Sequence, residues 1–538
     1  MNPAPIPCAT ARARAPLGLV LIAAAVHLFG GQASAPASEE HAQQGRQLLE
    51  RGDLPGAERE FRKAVDLSPE DPEVLGLLGV ALGMQQKLPE ADVYLEKALR
   101  HDPTDSATRR NLAWNQFELG QLAEAKANLT RVLKERPLDS AAILVLGMVE
   151  EELQHYTVAV KLLASVPEQV RQRPESLAAL ARAYYYTRQE HQSHEILKEL
   201  PLHPASPESG FTAALVAAEL HDFEIAETLF RALWGVYPDP GKLGYALARV
   251  EYRAGKLSES VATLRRTIET GHESSEIDNL LGWCLYKKDD AKGAVAALDR
   301  AIALDPTDES NYLDVGIMLL KSHRLDGAMA AAEKAIQVAP GSSGARRLKA
   351  QIEFQRGRVN DAEKLYARAV ELNPSDVDAI TGLATAQLDI GKAAEAEQTL
   401  KNAIQRLPRA AVVYQAYGTM LLWGEGRENT EIEGRAFQLL RQAETLDPAL
   451  SEPHYQLGKL ALREGNLREA SRELELAVKL DPNGSKNHYG LAQVYRKLGR
   501  IADAEHEVRV FQAQKEKESP SPLDPAGGTQ VATPQNSK

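Results

Sequence analysis

Cysteine is all but absent from this chain. Cys8 and Cys284 are the two that occur in 538 residues, which excludes a disulfide framework and any all-cysteine metal site. Aromatic side chains are scarce as well, at 5% of residues against 43% apolar overall. A core with so few rings must be built mostly from Ala, Leu and Val, and small side chains let helices pack closely. No Gly-rich phosphate loop, His-Glu-x-x-His run or Gly-x-Ser-x-Gly elbow occurs, so no phosphate-loop, zinc-peptidase or serine-hydrolase signature is present. Basic residues number 63 against 75 acidic, a formal net charge of −12. A chain this acidic gains nothing from a phosphate backbone, so nucleic acid is a poor partner.

Long apolar runs are also missing beyond the first residues. Leu17 to Phe29 is apolar apart from His27, follows Arg12 and Arg14, and is followed by Ala33-Ser34-Ala35. That order reads as a secretory signal over residues 1–35, cleaved near Ala35. The run is short for a membrane span; a retained anchor is the alternative. Cys8 lies ahead of the apolar run, not where a lipoprotein cysteine sits. With the Ala- and Arg-rich composition, this leads us to expect export into a bacterial cell envelope, periplasmic or envelope-associated, with no integral membrane span after cleavage.

What is abundant is a period. Pro69, Pro103 and Pro137 are 34 residues apart, as are Pro306, Pro340, Pro374 and Pro408, and Pro448 and Pro482. One residue is missing before Pro204 and six are inserted between Pro408 and Pro448. With the proline at position 32 of each unit, position 8 is always Gly or Ala, as in Gly45, Gly79, Ala113, Gly147, Ala181 and Gly282. Position 20 is always Ala or Ser, as in Ala57, Ala91, Ala125, Ser193 and Ser260. Two helices cross closely only where neither carries bulk, so these positions mark a crossing point. Gly52, Gly120, Gly255, Gly357, Gly391, Gly465 and Gly499 stand where a first helix ends. The proline stops the second helix. Each unit is then a helical hairpin that buries its apolar face only by stacking on its neighbours.

The 34-residue period and the small-residue frame resemble the tetratricopeptide repeat family. The resemblance implies an all-α, right-handed superhelical solenoid of antiparallel helix hairpins, about fourteen over residues 38–516. Units over 140–274 are degenerate, with Val166, Leu200, Leu233 and Thr267 at position 27 in place of Ala; they form either a bend or diverged hairpins packed like the rest. Residues 424–433 form an enlarged polar turn. Residues 517–538, rich in Pro, Ser, Gly and Gln, read as a disordered tail.

Members of the family hold ligands along first helices, at positions 2, 5, 9 and 12. In this chain those positions yield two stretches. Val80, Trp114, Phe117, Leu144 and Met148 make an apolar patch suited to an amphipathic helix or extended peptide. Arg182, Tyr185, Arg249, Tyr252, Trp283 and Tyr286 make an aromatic–basic stretch suited to acidic segments, or to sugar rings through Tyr252, Trp283 and Tyr286. The alternative for these side chains is packing between neighbouring units. Position 9 is never Asn, a departure from the subclass that captures chaperone C-terminal tails. His191, His194 and Glu195 read as a solvated polar face, not a metal site, and Cys284 as a buried inert thiol. With no catalytic motif and no room for a further domain, we expect a non-catalytic scaffold without cofactor or metal. Its partners would be proteins or peptides during assembly, secretion or polymer export; the alternative is an accessory subunit that binds envelope polysaccharide.

Overall fold

The computed structural model describes residues 36–201, 206–423 and 430–518. The expected signal over 1–35 lies outside them, as do 424–429 of the enlarged turn and 519–538 of the tail. Among the described residues there are helices only, 29 of them, pairing into fourteen hairpins with one additional short helix, Pro167–Arg171. No described helix is long and apolar enough to cross a membrane.

Most first helices start on a side-chain cap. Asp71, Asp105, Asp139, Asp239 and Asp376 accept backbone N–H groups of the first turn at 2.9–3.0 Å, which satisfies donors that have no helical partner. Pro72, Pro174, Pro207 and Pro240 occupy the first helical position, where a missing N–H costs nothing. A left-handed residue ends the first helix in hairpin after hairpin. Seven are the glycines named above, with φ of 75–82°, and six are Gln86, Gln154, Arg188, His221, Asp289 and His323, with φ of 55–63°. The residue after each closes a six-to-one hydrogen bond onto the last turn, for example from Gln121 N to Gln116 O and from His155 N to Glu150 O, both at 2.8 Å. The non-glycine cases carry a steric cost of about 1 kcal/mol each. The turn is therefore imposed by the helix crossing, not by the residue at its apex.

The crossing is as tight as the sequence requires. Position 20 is essentially without exposure throughout, from Ala57 and Ala91 at 0% to Ser193 at 3%. A Cβ built on Gly79 would lie 2.6 Å from Leu95 Cγ, and one on Gly282 would lie 2.8 Å from Leu298 Cγ. Where serine replaces alanine at position 20, its hydroxyl donates to the carbonyl at position 8 across the crossing: Ser193 to Ala181 and Ser260 to Ala248, both at 2.8 Å. The extra polar atom is thus satisfied inside the apolar contact.

The chain divides into two compact units, residues 1–304 and 305–538. In the first, one apolar cluster runs without interruption from Ala113 to Val250. The degenerate units lie within it and pack as hairpins. Three of their second helices are short, Tyr156–Ala164, Glu190–Lys198 and Phe223–Ala232. Val166, Leu200 and Leu233 follow the ends of these helices and turn back into the core at 5%, 4% and 2% exposure. A larger apolar side chain at position 27 thus fills the space left by the missing turn. The second unit holds several smaller clusters, centred for instance on Leu348, Tyr366 and Leu474.

Within each unit, ion pairs tie one hairpin to the next at a fixed spacing. Lys87 meets Glu58 at 2.6 Å, Lys256 meets Glu227 at 2.7 Å, and Lys392 meets Glu363 at 2.6 Å. All three join position 16 to position 21 of the preceding hairpin. Burial disfavours the charge on Glu58, but hydrogen bonds from Lys87 and Arg62 prevail and hold its pKa at about 2. The lysines are nearly half exposed, so each pair contributes only about 0.2–1 kcal/mol.

Candidate ligand-binding face

The side chains expected to line a binding face divide by exposure. Val80, Phe117, Leu144, Met148, Arg182, Tyr252 and Trp283 are buried, all below 9% exposed. Trp114, Tyr185, Arg249 and Tyr286 are half-buried. Adjacent first helices approach closely enough that positions 5, 9 and 12 are largely spent on packing between hairpins. The apolar patch is therefore mostly core: Phe117, Leu144 and Met148 belong to the long cluster of the first unit, with Trp114 on its margin. The Trp114 and Phe117 rings lie 5.9 Å apart.

The aromatic–basic stretch is internally paired. The Arg182 guanidinium reaches Glu151 at 2.9 Å and Glu219 at 3.7 Å. Arg249 lies over the Tyr245 ring at 5.4 Å and Lys287 over the Tyr252 ring at 4.4 Å. Trp283 meets Tyr286 edge-on at 6.1 Å. Of the three rings expected to stack on sugars, Tyr286 alone keeps substantial access to solvent.

The positional frame misses two arrangements. A row of rings runs along the hairpin turns of the degenerate units. Tyr156 stacks on Tyr186 at 4.6 Å, Tyr186 meets Tyr185 at 5.5 Å, Tyr185 faces His221 at 6.5 Å, and His221 meets Phe223 at 5.7 Å, with Arg253 over Phe223 at 5.0 Å. Tyr186 is 46% exposed. The second arrangement is Arg173, whose guanidinium lies over the Trp114 ring at 5.1 Å. It is the residue before Pro174, which the proline holds in extended backbone. It falls outside positions 2, 5, 9 and 12, so no periodic reading could find it.

Histidines recur as clips between the two helices of a hairpin. His41 pairs with Glu60 at 2.7 Å, His454 with Glu473 at 2.7 Å and His488 with Glu507 at 2.6 Å, always 19 residues apart. Glu444, His454 and Glu473 bring three potential metal ligands together. Their carboxylates, however, are engaged by Arg441 at 2.7 and 2.9 Å and by Arg472 at 2.7 Å, and two guanidinium charges oppose a cation there. His194 pairs with Asp222 at 2.5 Å and Glu195 with Lys198 at 2.8 Å. Burial pushes the Cys284 thiol up to about 11, beside the Ser260 hydroxyl at 3.2 Å, so a thiolate is scarce at neutral pH.

The His454 clip predicts a pH dependence. The hydrogen bond to Glu473 raises the His454 pKa above its usual value despite burial. Burial disfavours the Glu473 charge, but His454, Arg441 and Arg472 together hold its pKa at about 2. The raised histidine contributes stability that is full below its ordinary value and lost as pH rises through the raised one. The depressed carboxylate contributes above its ordinary value, and this is lost as pH falls toward about 2. Amide protection in Ser451–Leu480 should therefore peak between these limits. It should fall on the alkaline side by on the order of 2 kcal/mol. Hydrogen exchange of His454→Phe should show no such alkaline loss; an unchanged profile would refute the clip.

Stacked helix hairpins with small-residue crossings, carrying rings and cations on their first helices, define a repeat protein of the tetratricopeptide type. Tetratricopeptide repeat family models match residues 48–107, 84–149, 116–183, 319–376 and 353–417, and a second such model matches 211–269, 245–309 and 455–514. These spans cover well over half of the chain, which belongs to the tetratricopeptide repeat family. It is 24% identical over 290 residues to the protein CTR9 homolog of Arabidopsis thaliana, covering 51% of this chain and 26% of that protein. It is 40% identical over 78 residues to cellulose synthase 2 operon protein C of Komagataeibacter xylinus, covering 14% of this chain and 6% of that one. The matches thus span a minor part of either relative. Among solved structures, yeast Tom70 is similar with a TM-score of 0.41 at 17% identity, covering 89% of this chain and 96% of that one.

Proposed function

We propose that the chain is a non-catalytic protein–protein interaction scaffold of a bacterial cell envelope, and that the first helices of its first unit hold segments of partner proteins during assembly, secretion or polymer export. The observation that carries this reading is the half-open margin of the long core, where Trp114 and Arg173 present an indole and a cation beside buried apolar side chains. Aromatic and arginine side chains at the edge of a desolvated surface are typical interface anchors. The envelope setting is supported by the leader-like order of residues 1–35 and by similarity to a protein named for a cellulose synthase operon. The test is photo-crosslinking in intact cells from probes at Trp114 and Tyr286, followed by mass spectrometry. Reproducible capture of one or two envelope proteins is the expected result; capture of no protein from either position would sink the reading.

A second reading, an accessory subunit for envelope polysaccharide, is favoured by the ring row along the hairpin turns, in which Tyr186 stays 46% exposed while stacked on Tyr156. An aromatic face of that kind stacks on sugar rings. Retention of the chain on immobilised cellulose, abolished by Tyr186→Ala, would favour it over the scaffold.

A further inference from the structure

His488 lies between two acceptors. It is 5% exposed, with Nδ1 2.6 Å from Glu507 Oε2 and Nε2 2.9 Å from Pro482 O. The carboxylate stands on the helix Ile501–Glu518, and the carbonyl belongs to the turn ahead of Ser485–Lys497, the helix that carries His488. One side chain thus ties both helices of the hairpin to the turn that starts it. A neutral imidazole has one N–H, and both contacts need one. Removing a proton from this trio leaves two lone pairs facing each other across 2.6 or 2.9 Å, beside a ring that is almost wholly buried. Acids on the neighbouring helices are engaged elsewhere: Glu475 accepts from the Tyr495 hydroxyl at 3.0 Å, Glu473 meets Arg441 at 2.9 Å, and Glu452 is paired with Lys486. Asp481 stands in the same turn as Pro482, and His506 and Arg509 are exposed on Ile501–Glu518.

We propose that His488 is a proton-operated latch on the helix Ile501–Glu518, closed while the imidazole carries a proton on each nitrogen and released as pH rises through the neutral range. The sign follows from which state holds the extra proton. The closed hairpin offers it two fixed acceptors and the open one offers water, so the closed form binds it more tightly. The latch therefore contributes fully on the acid side and is lost on the alkaline side. Imidazole is the side chain that ordinarily changes charge between about pH 5 and pH 8. Gln514 also donates to Asn483 at 3.2 Å, and Phe511 meets the Tyr489 ring at 5.2 Å; neither contact titrates in this range. Ala504 of the latched helix shares an apolar cluster with Leu491, Val494 and Tyr495, and with Leu474 of the preceding hairpin. Release of the helix uncovers that cluster, so the proton governs access to an apolar face. The latch is independent of what the first helices hold.

The test is hydrogen exchange of the full chain at about pH 6 and about pH 8, with rates corrected for the intrinsic pH dependence of exchange. Ser485–Glu518 should open about tenfold more often at the higher pH. The hairpin Val377–Arg406, in the same unit and without histidine, should not change. Glu507→Gln is the deciding variant. Its amide donates to an unprotonated Nδ1 while the Nε2–H keeps Pro482 O, so the site is complete without the extra proton. Protection should then stay high at both pH values, an effect that loss of structure would not produce. His488→Gln should open equally often at both, and His506→Gln should keep the dependence of the parent chain. Circular dichroism at about pH 6 establishes that each variant is folded. Equal protection of the parent at the two pH values, a change that persists in folded His488→Gln or Glu507→Gln, or one that vanishes in His506→Gln overturns the latch.

Discussion

Leucine at Gly79 is expected to destabilise the first unit by on the order of 3 kcal/mol, and the hairpin Pro72–His101 should lose hydrogen-exchange protection first. The reason is the crossing. A Cβ on Gly79 meets Leu95 Cγ at 2.6 Å, and also the Leu95 backbone nitrogen at 3.2 Å. A rotamer change in Leu95 relieves the first contact but not the second, so the second helix itself must move away. That movement pulls on Leu78, Leu82 and Leu112, which share one cluster with Leu95 across neighbouring hairpins. Gly79→Ala should cost less, about 1 kcal/mol, because Ala113 fills the same position in the next hairpin with no exposure. If Gly79→Leu keeps the protection pattern and melting temperature of the parent chain, the crossing is looser than described.

Arg182→Met should cost about 3–5 kcal/mol, because it removes the guanidinium that Glu151, at 3% exposure, meets at 2.9 Å. Burial works against the Arg182 charge, yet Glu151 and Glu219 hold its pKa above the usual arginine value. Glu219 is the more exposed of the two and can turn to water; Glu151 cannot. The pair Arg182→Met with Glu151→Leu should recover most of the loss, since two apolar side chains replace two paired charges. The double-mutant cycle, read by chemical denaturation, measures the coupling directly. Additive losses in the cycle would show that the two residues do not depend on each other.

The repeat frame was readable because its signal is steric and local. Small residues at positions 8 and 20 act within one hairpin, and the residues named for the crossing are those the structure buries completely, as at Ala57, Ala113 and Ala125. The left-handed position was half legible: its glycines stand out, but Gln86, Arg188 and Asp289 adopt the same conformation without any sequence mark. The binding face was harder to read, because exposure at positions 5, 9 and 12 depends on the neighbouring hairpin. Tyr252 and Trp283 carry the residue types of an open surface and are buried between helices. Arg173 shows the converse problem. Its importance comes from the Trp114 ring, distant in the chain, which leaves no periodic trace. The His–Glu clips could have been found, since they recur at two fixed positions in three hairpins.

The lysine–glutamate ties at positions 16 and 21 bear on how such a chain can change in length. Lys87–Glu58, Lys256–Glu227 and Lys392–Glu363 each join a hairpin to the one before it, across 29 residues. Duplication or loss of a whole 34-residue block between two ties leaves every remaining lysine opposite a glutamate. A deletion of a few residues breaks the tie and the stacking together. Unequal recombination in whole blocks therefore passes a filter that small insertions fail, and the extra residues that are found, between Pro408 and Pro448, lie beyond the Lys392–Glu363 tie and leave its spacing untouched.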